Sequence, residues 1–128
     1  MSCNYITTMA TFERHMAQYE AFKATANLPG ATPPSRVELL FLAAYHLIDA
    51  CAAKKGQHIN KHQNVRSELE KNPAILEERA DRVWRVFNDL QGGFRAKFVY
   101  GGRWTRRDLE EAVHSFETVE RLCLEALR

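Results

Sequence analysis

Between residues 37 and 53 the chain reads VELLFLAAYHLIDACAA, seventeen positions of which only Glu38, His46 and Asp49 are strongly polar. At about 100° per residue these three fall within roughly 80° of one another, which predicts a helix with one narrow polar stripe and apolar surface elsewhere. The run is too interrupted to cross a bilayer and reads as the central helix of a soluble bundle. The remaining segments carry single apolar stripes suited to covering it.

The first of these is expected over residues 8–27, where Met9, Phe12, Met16, Tyr19, Phe22 and Ala26 recur at spacings of three and four. Residues 28–35, LPGATPPS, cannot continue that helix, because three prolines and a glycine remove donors and disfavour helical angles before them. Ser35 followed by Glu38 has the form of a capping box and predicts a helix start near Arg36. Lys54, Lys55 and Gly56 suit its end, with cations at the negative pole and a glycine for a left-handed cap. Hydrophobicity then drops over residues 57–71, predicting a short surface helix or ordered loop. Asn72-Pro73 predicts a restart, and Leu76, Ala80, Val83, Trp84, Phe87 and Leu90 form the stripe of a third long helix that weakens at Gly92-Gly93. A last helix is expected from Thr105, with Asp108 as capping partner and Leu109, Ala112, Val113, Phe116, Val119, Cys123 and Leu127 inward. The pattern predicts one domain over residues 1–128: all-α, an antiparallel up-and-down four-helix bundle with an extra short helix or ordered loop after helix two. Its expected core includes Leu40, Phe41, Ala44, Leu47, Ile48, Cys51, Val83, Trp84, Phe87, Val113, Phe116 and Cys123.

Composition narrows the classes without choosing among them. Eighteen Lys and Arg against sixteen Asp and Glu leave a net charge of +2, so global charge indicates neither nucleic acid nor membrane. Cys3, Cys51 and Cys123 are unpaired by spacing and suggest free thiols in a reducing, cytoplasmic setting, with Cys51 and Cys123 as buried small hydrophobes. No secretory leader is recognisable at the N-terminus, and no membrane partner is expected.

Local clustering is more informative. No acidic residue stands between Asp89 and Asp108, while Arg95, Lys97, Arg103, Arg106 and Arg107 give the junction a local charge of +5. Phe94, Phe98, Tyr100 and Trp104 are interleaved with these cations, a combination that suits phosphates held by charge and bases stacked on rings. The alternative is packing, with aromatics beneath a helix junction and arginines paired to neighbouring acids. Residues 99–104 also have the form of a hairpin with a Gly-Gly turn, but a helix end and loop is preferred because a lone hairpin is marginal. The second constellation is His46 and Asp49 on the central helix with His58 and His62 beyond it. His58 and His62 would share a face if their stretch were helical, but a convincing third ligand is lacking, so no metal and no cofactor are expected and chelation should leave the melting temperature unchanged. His46 is expected to be a hydrogen-bonded core residue paired across a helix crossing. His15 and His114 have no companions in sequence.

Taken together, Ala44-Tyr45-His46-Leu47-Ile48-Asp49-Ala50, the turn from Gly56-Gln57-His58 to His62, and Arg95-Ala-Lys-Phe-Val-Tyr100-Gly101 before the last helix resemble the HEPN family, higher eukaryotes and prokaryotes nucleotide-binding. The resemblance covers about residues 36–127. It implies an up-and-down helical bundle, usually homodimeric, of a kind found in toxin–antitoxin modules, defence systems and partners of minimal nucleotidyltransferases. Many members are metal-independent ribonucleases whose motif is Arg, four to six residues, then His, with two copies meeting across a dimer. In this chain Tyr100 stands at the first place where that His would fall, and a tyrosine with pKa near 10 is a poor general base at neutral pH. The resemblance therefore implies a divergent member that keeps the fold and a binding role.

The leading expectation is a non-catalytic module binding nucleotide, RNA or a partner protein through Arg95, Lys97, Tyr100, Arg103, Trp104, Arg106 and Arg107, with His46, Asp49, His58 and His62 as further ligand-binding candidates. The runner-up is an RNA-cleaving toxin, with a nucleotidyltransferase or antitoxin as partner and a site rebuilt from Arg95, Tyr100, Arg103 and either His46 or His62. The third is a purely structural or protein-interaction bundle.

Overall fold

The computed structural model describes the backbone from residue 2 onward and the side chains from residue 11, so Cys3 and Met9 lie outside the described side chains. The protein is all-helical, with no strand among the described residues. Its α-helices are α1 (Ser2–Ala26), α2 (Pro33–Lys54), α3 (Val65–Lys71), α4 (Ala80–Asn88) and α5 (Arg106–Ala126). None of the described helices is long and apolar enough to cross a membrane.

The apolar run becomes α2, and the core forms around it: Val37, Leu40, Phe41, Ala44, Leu47, Ile48 and Cys51 are all buried. α1 lies along α2, α5 packs on α2 from another side, and α4 packs on α5. Of the expected core, Trp84 and Val113 are only partly buried, while the others are fully so. Cys51 and Cys123 are buried free thiols.

Besides the start of α1 at Ser2 rather than near residue 8, helix boundaries depart from the sequence pattern in three places. α2 begins at Pro33, with Thr32 as its cap accepting from the Ser35 N–H at 3.4 Å. Both prolines fit the first turn, whose N–H groups have no intrahelical acceptor anyway, so Ser35–Glu38 forms no capping box and Glu38 is released for another partner. Asn72 does not start a helix but closes one, its side-chain amide donating to the Glu68 carbonyl at 3.2 Å. The chain then buries Ile75 and Leu76, passes through Glu77 at φ +54° and re-enters helix at Ala80.

The third departure matters most. The helix does not end at Gly92-Gly93, and residues 99–104 form no hairpin. It continues from α4 as two consecutive π-helical segments, Asp89–Phe94 and Ala96–Gly101. Neither Gly92 nor Gly93 has a positive φ, so both tolerate helical geometry. The stop comes at the second glycine pair. A Cβ on Gly101 would lie 2.8 Å from the Ala96 carbonyl oxygen, and Gly102 takes the left-handed cap at φ +72°. Thr105 then caps α5 in the expected box, its backbone N–H donating to Asp108 at 2.8 Å and its hydroxyl accepting from the Asp108 N–H at 3.1 Å.

Candidate functional site

The π-helical path sets the geometry of the basic junction. In an α-helix, residues five apart point about 140° away from each other. A π-turn closes at a five-residue interval, as in the 2.9 Å bond from the Gly102 N–H to the Lys97 carbonyl, and it brings Arg95 and Tyr100 onto one face. Arg95 donates to the Tyr100 hydroxyl at 3.3 Å and forks onto Glu38 of α2 at 3.0 and 3.1 Å. Its guanidinium also lies 4.0 Å from the centre of the Phe41 ring. With its side chain only 13% exposed, Arg95 is a bidentate, ring-stacked residue that positions Tyr100 rather than a cation open to a ligand.

The other cations divide into two groups. Lys97 is paired with Asp108 at 3.0 Å, tying the π-helical segment to the first turn of α5. That pairing, with the Thr105 N–H, holds the Asp108 carboxyl below the usual carboxylate range. Among the described residues Arg106 and Arg107 pair with Glu110 and Glu111 one turn on, and their side chains are 92% and 86% exposed. Surface pairs of this kind are worth about 0.3–0.5 kcal/mol, so a phosphate can displace them. Arg103 is exposed and stands between Tyr100 and Trp104 in sequence. Tyr100 is 73% exposed, and Trp104 is stacked on buried Phe98 at 5.0 Å with its other face at the surface. A shallow groove is lined by Pro34, Glu38, Leu39 and Val99, the residue before Tyr100.

The histidines form a separate cluster, because Asp49 lies eleven residues beyond Glu38 on α2, roughly 16 Å along the helix axis. Asp49 is fully buried and accepts from the Ile59 N–H at 3.0 Å, which anchors the loop after α2. His58 stands in that loop, not on a helix, and so shares no helical face with His62. Its Nδ1 lies 3.5 Å from Asp49 Oδ1. His15 of α1, companionless in sequence, places Nε2 3.1 Å from Asp49 Oδ2. His46 meets His15, Nδ1 to Nδ1 at 2.9 Å, a histidine paired across a helix crossing. Burial lowers the pKa of His15 and takes His46 down to about 4, while burial raises that of Asp49. His62 stands apart, bonded to Gln91 at 2.9 Å and edge-on to Phe41.

The sequence thus groups Asp49 with His58 but misses His15, and the 34-residue separation of His15 from Asp49 carries no local signal. Only the side-by-side packing of α1 on α2 makes the trio visible. Gln91 is missed for the same reason. Comparison of the chain with protein families, with curated proteins and with solved structures finds no match in any of the three.

Proposed function

We propose that the chain is a HEPN-like module, an up-and-down four-helix bundle with one additional short helix, that binds single-stranded RNA or a nucleotide at the α4–α5 junction without cleaving it. The observation that carries this reading is the pairing of two exposed rings, Tyr100 and Trp104, with the exposed cations Arg103, Arg106 and Arg107. Rings offer every base a stacking face, and weakly paired arginines offer phosphates a competing partner. The π-helical segment supports it, since such departures from α-helix are frequent at functional sites. Catalysis is set aside because Arg95 is engaged by Glu38 and a phenol, not an imidazole, stands five residues on. Buried thiols at Cys51 and Cys123 suit a cytoplasmic module.

Stacking makes a demand separable from charge. Tyr100→Ala and Trp104→Ala are each expected to cost about 1–3 kcal/mol of affinity for a short oligouridylate, with little change in the salt dependence. Fluorescence anisotropy at several salt concentrations measures both quantities. Unchanged affinity in both variants would make the rings a docking surface for a protein instead.

The same reading carries a homodimer, for which exposed Val99 and the groove it lines with Pro34 and Leu39 supply apolar surface. Light scattering is expected to give twice the 14.7 kDa chain mass; a monomer mass at every concentration would contradict it.

A further inference from the structure

We propose that His15, Asp49 and His58 form a binding site for a divalent transition cation of the zinc type, with two imidazoles and one carboxylate as ligands. One ligand atom from each residue lies within 4.8 Å of the other two. Metal–ligand bonds of about 2.0–2.1 Å in a tetrahedral site place ligand atoms roughly 3.3 Å apart. His15 Nε2 lies 3.1 Å from Asp49 Oδ2 and His58 Nδ1 lies 3.5 Å from Oδ1, so the two imidazoles approach opposite oxygens of one carboxylate at about that separation.

A second observation is independent of that spacing. Among the described residues the buried Asp49 Oδ2 has no hydrogen-bond partner, although His15 Nε2 lies 3.1 Å away. An unpartnered carboxylate oxygen in a buried site is costly unless a cation meets it. The surroundings suit such an ion. His46 fixes the His15 ring: with a proton on His15 Nδ1 donated to His46 Nδ1, His15 Nε2 keeps its lone pair for the metal, the usual arrangement behind a ligating histidine. The Ile59 N–H orients Asp49 from the other side. An open cleft of about 450 Å³, lined by His15, Gly56, Gln57 and His58, supplies an entry path and leaves coordination positions to water or a further ligand. Arg14 on the rim opposes a cation, but it is solvent-exposed and screened. His58, 55% exposed, lines that cleft.

The test is isothermal titration of the chelator-treated full chain with Zn²⁺, alongside visible absorption with Co²⁺. One ion per chain is expected, with a raised melting temperature and a Co²⁺ spectrum of low coordination number. His58→Ala, at an exposed loop position, and His15→Ala are each expected to weaken Zn²⁺ at least about tenfold. Asp49→Asn, which keeps the acceptor for Ile59, should also weaken it, while His114→Ala, at an exposed position on α5, should not. Circular dichroism of each variant separates loss of the site from loss of the fold. Absence of binding at millimolar Zn²⁺ would overturn the assignment. So would binding that survives in folded His15→Ala and His58→Ala, which would place the ion elsewhere.

Discussion

Phe41→Ala is expected to destabilise the protein by about 3–5 kcal/mol, the largest effect of any single truncation in the core. Phe41 is 1% exposed at the middle of α2 and stacks on Phe87 of α4 at 5.5 Å. Its ring also receives the His62 edge at 5.1 Å and forms the floor beneath the Arg95 guanidinium at 4.0 Å. Truncation therefore leaves a cavity between α2 and α4 and removes a partly desolvated cation–π contact worth roughly 0.5–2 kcal/mol. Phe41→Leu keeps most of the volume and loses the ring, so it should cost clearly less. Urea unfolding of both variants at unchanged m-value checks the prediction. A loss below about 1 kcal/mol for the alanine variant would mean that Phe41 is not the centre of the core.

Most of the core was legible because burial on α2 is dictated by composition: a helix with three strongly polar positions in seventeen has nowhere to put its remaining side chains but against neighbours. The capping box at Thr105 and the left-handed glycine after α2 were legible for the same local reason. What misled was punctuation. Gly92-Gly93 looks like a stop, yet two glycines only lower helix propensity, and packing of Leu90 and Phe98 into the core holds the helix through them. Asn72-Pro73 looks like a start, yet the same side-chain amide serves equally to close the preceding turn. Of the junction, the identity of the residues was readable but their division of labour was not. Arg95 is separated from Glu38 by 57 residues, and no local pattern shows that a conspicuous cation in the segment is already neutralised. The π-helical register that aligns it with Tyr100 is equally invisible to a 3.6-residue periodicity.

The second large effect concerns charge. Replacing Arg103, Arg106 and Arg107 together with glutamine is expected to reduce the dependence of log K on log salt by about 2 for a single-stranded RNA, at about 0.7 per phosphate neutralised. The fold should survive, because the pairs lost with Glu110 and Glu111 are exposed and worth only about 0.3–0.5 kcal/mol each. Arg95→Gln should act differently. It removes a bidentate pair at a mostly buried side chain, so it lowers stability and releases Tyr100, and any loss of RNA affinity follows from that ring rather than from a missing phosphate contact. Parallel salt titrations of the triple variant and Arg95→Gln, each with a thermal melt, separate the two roles. Equal slopes in the wild type and the triple variant would remove the phosphate-binding role from this face.

The claim that the α4–α5 junction receives nucleic acid is tested most directly by photo-crosslinking an oligouridylate to the full chain and mapping the adducts by mass spectrometry. The account predicts adducts on Tyr100 or Trp104, abolished by competing unlabelled RNA and diminished at high salt. Adducts confined to other faces of the protein, or none at concentrations where binding of the oligouridylate is detected, would contradict it.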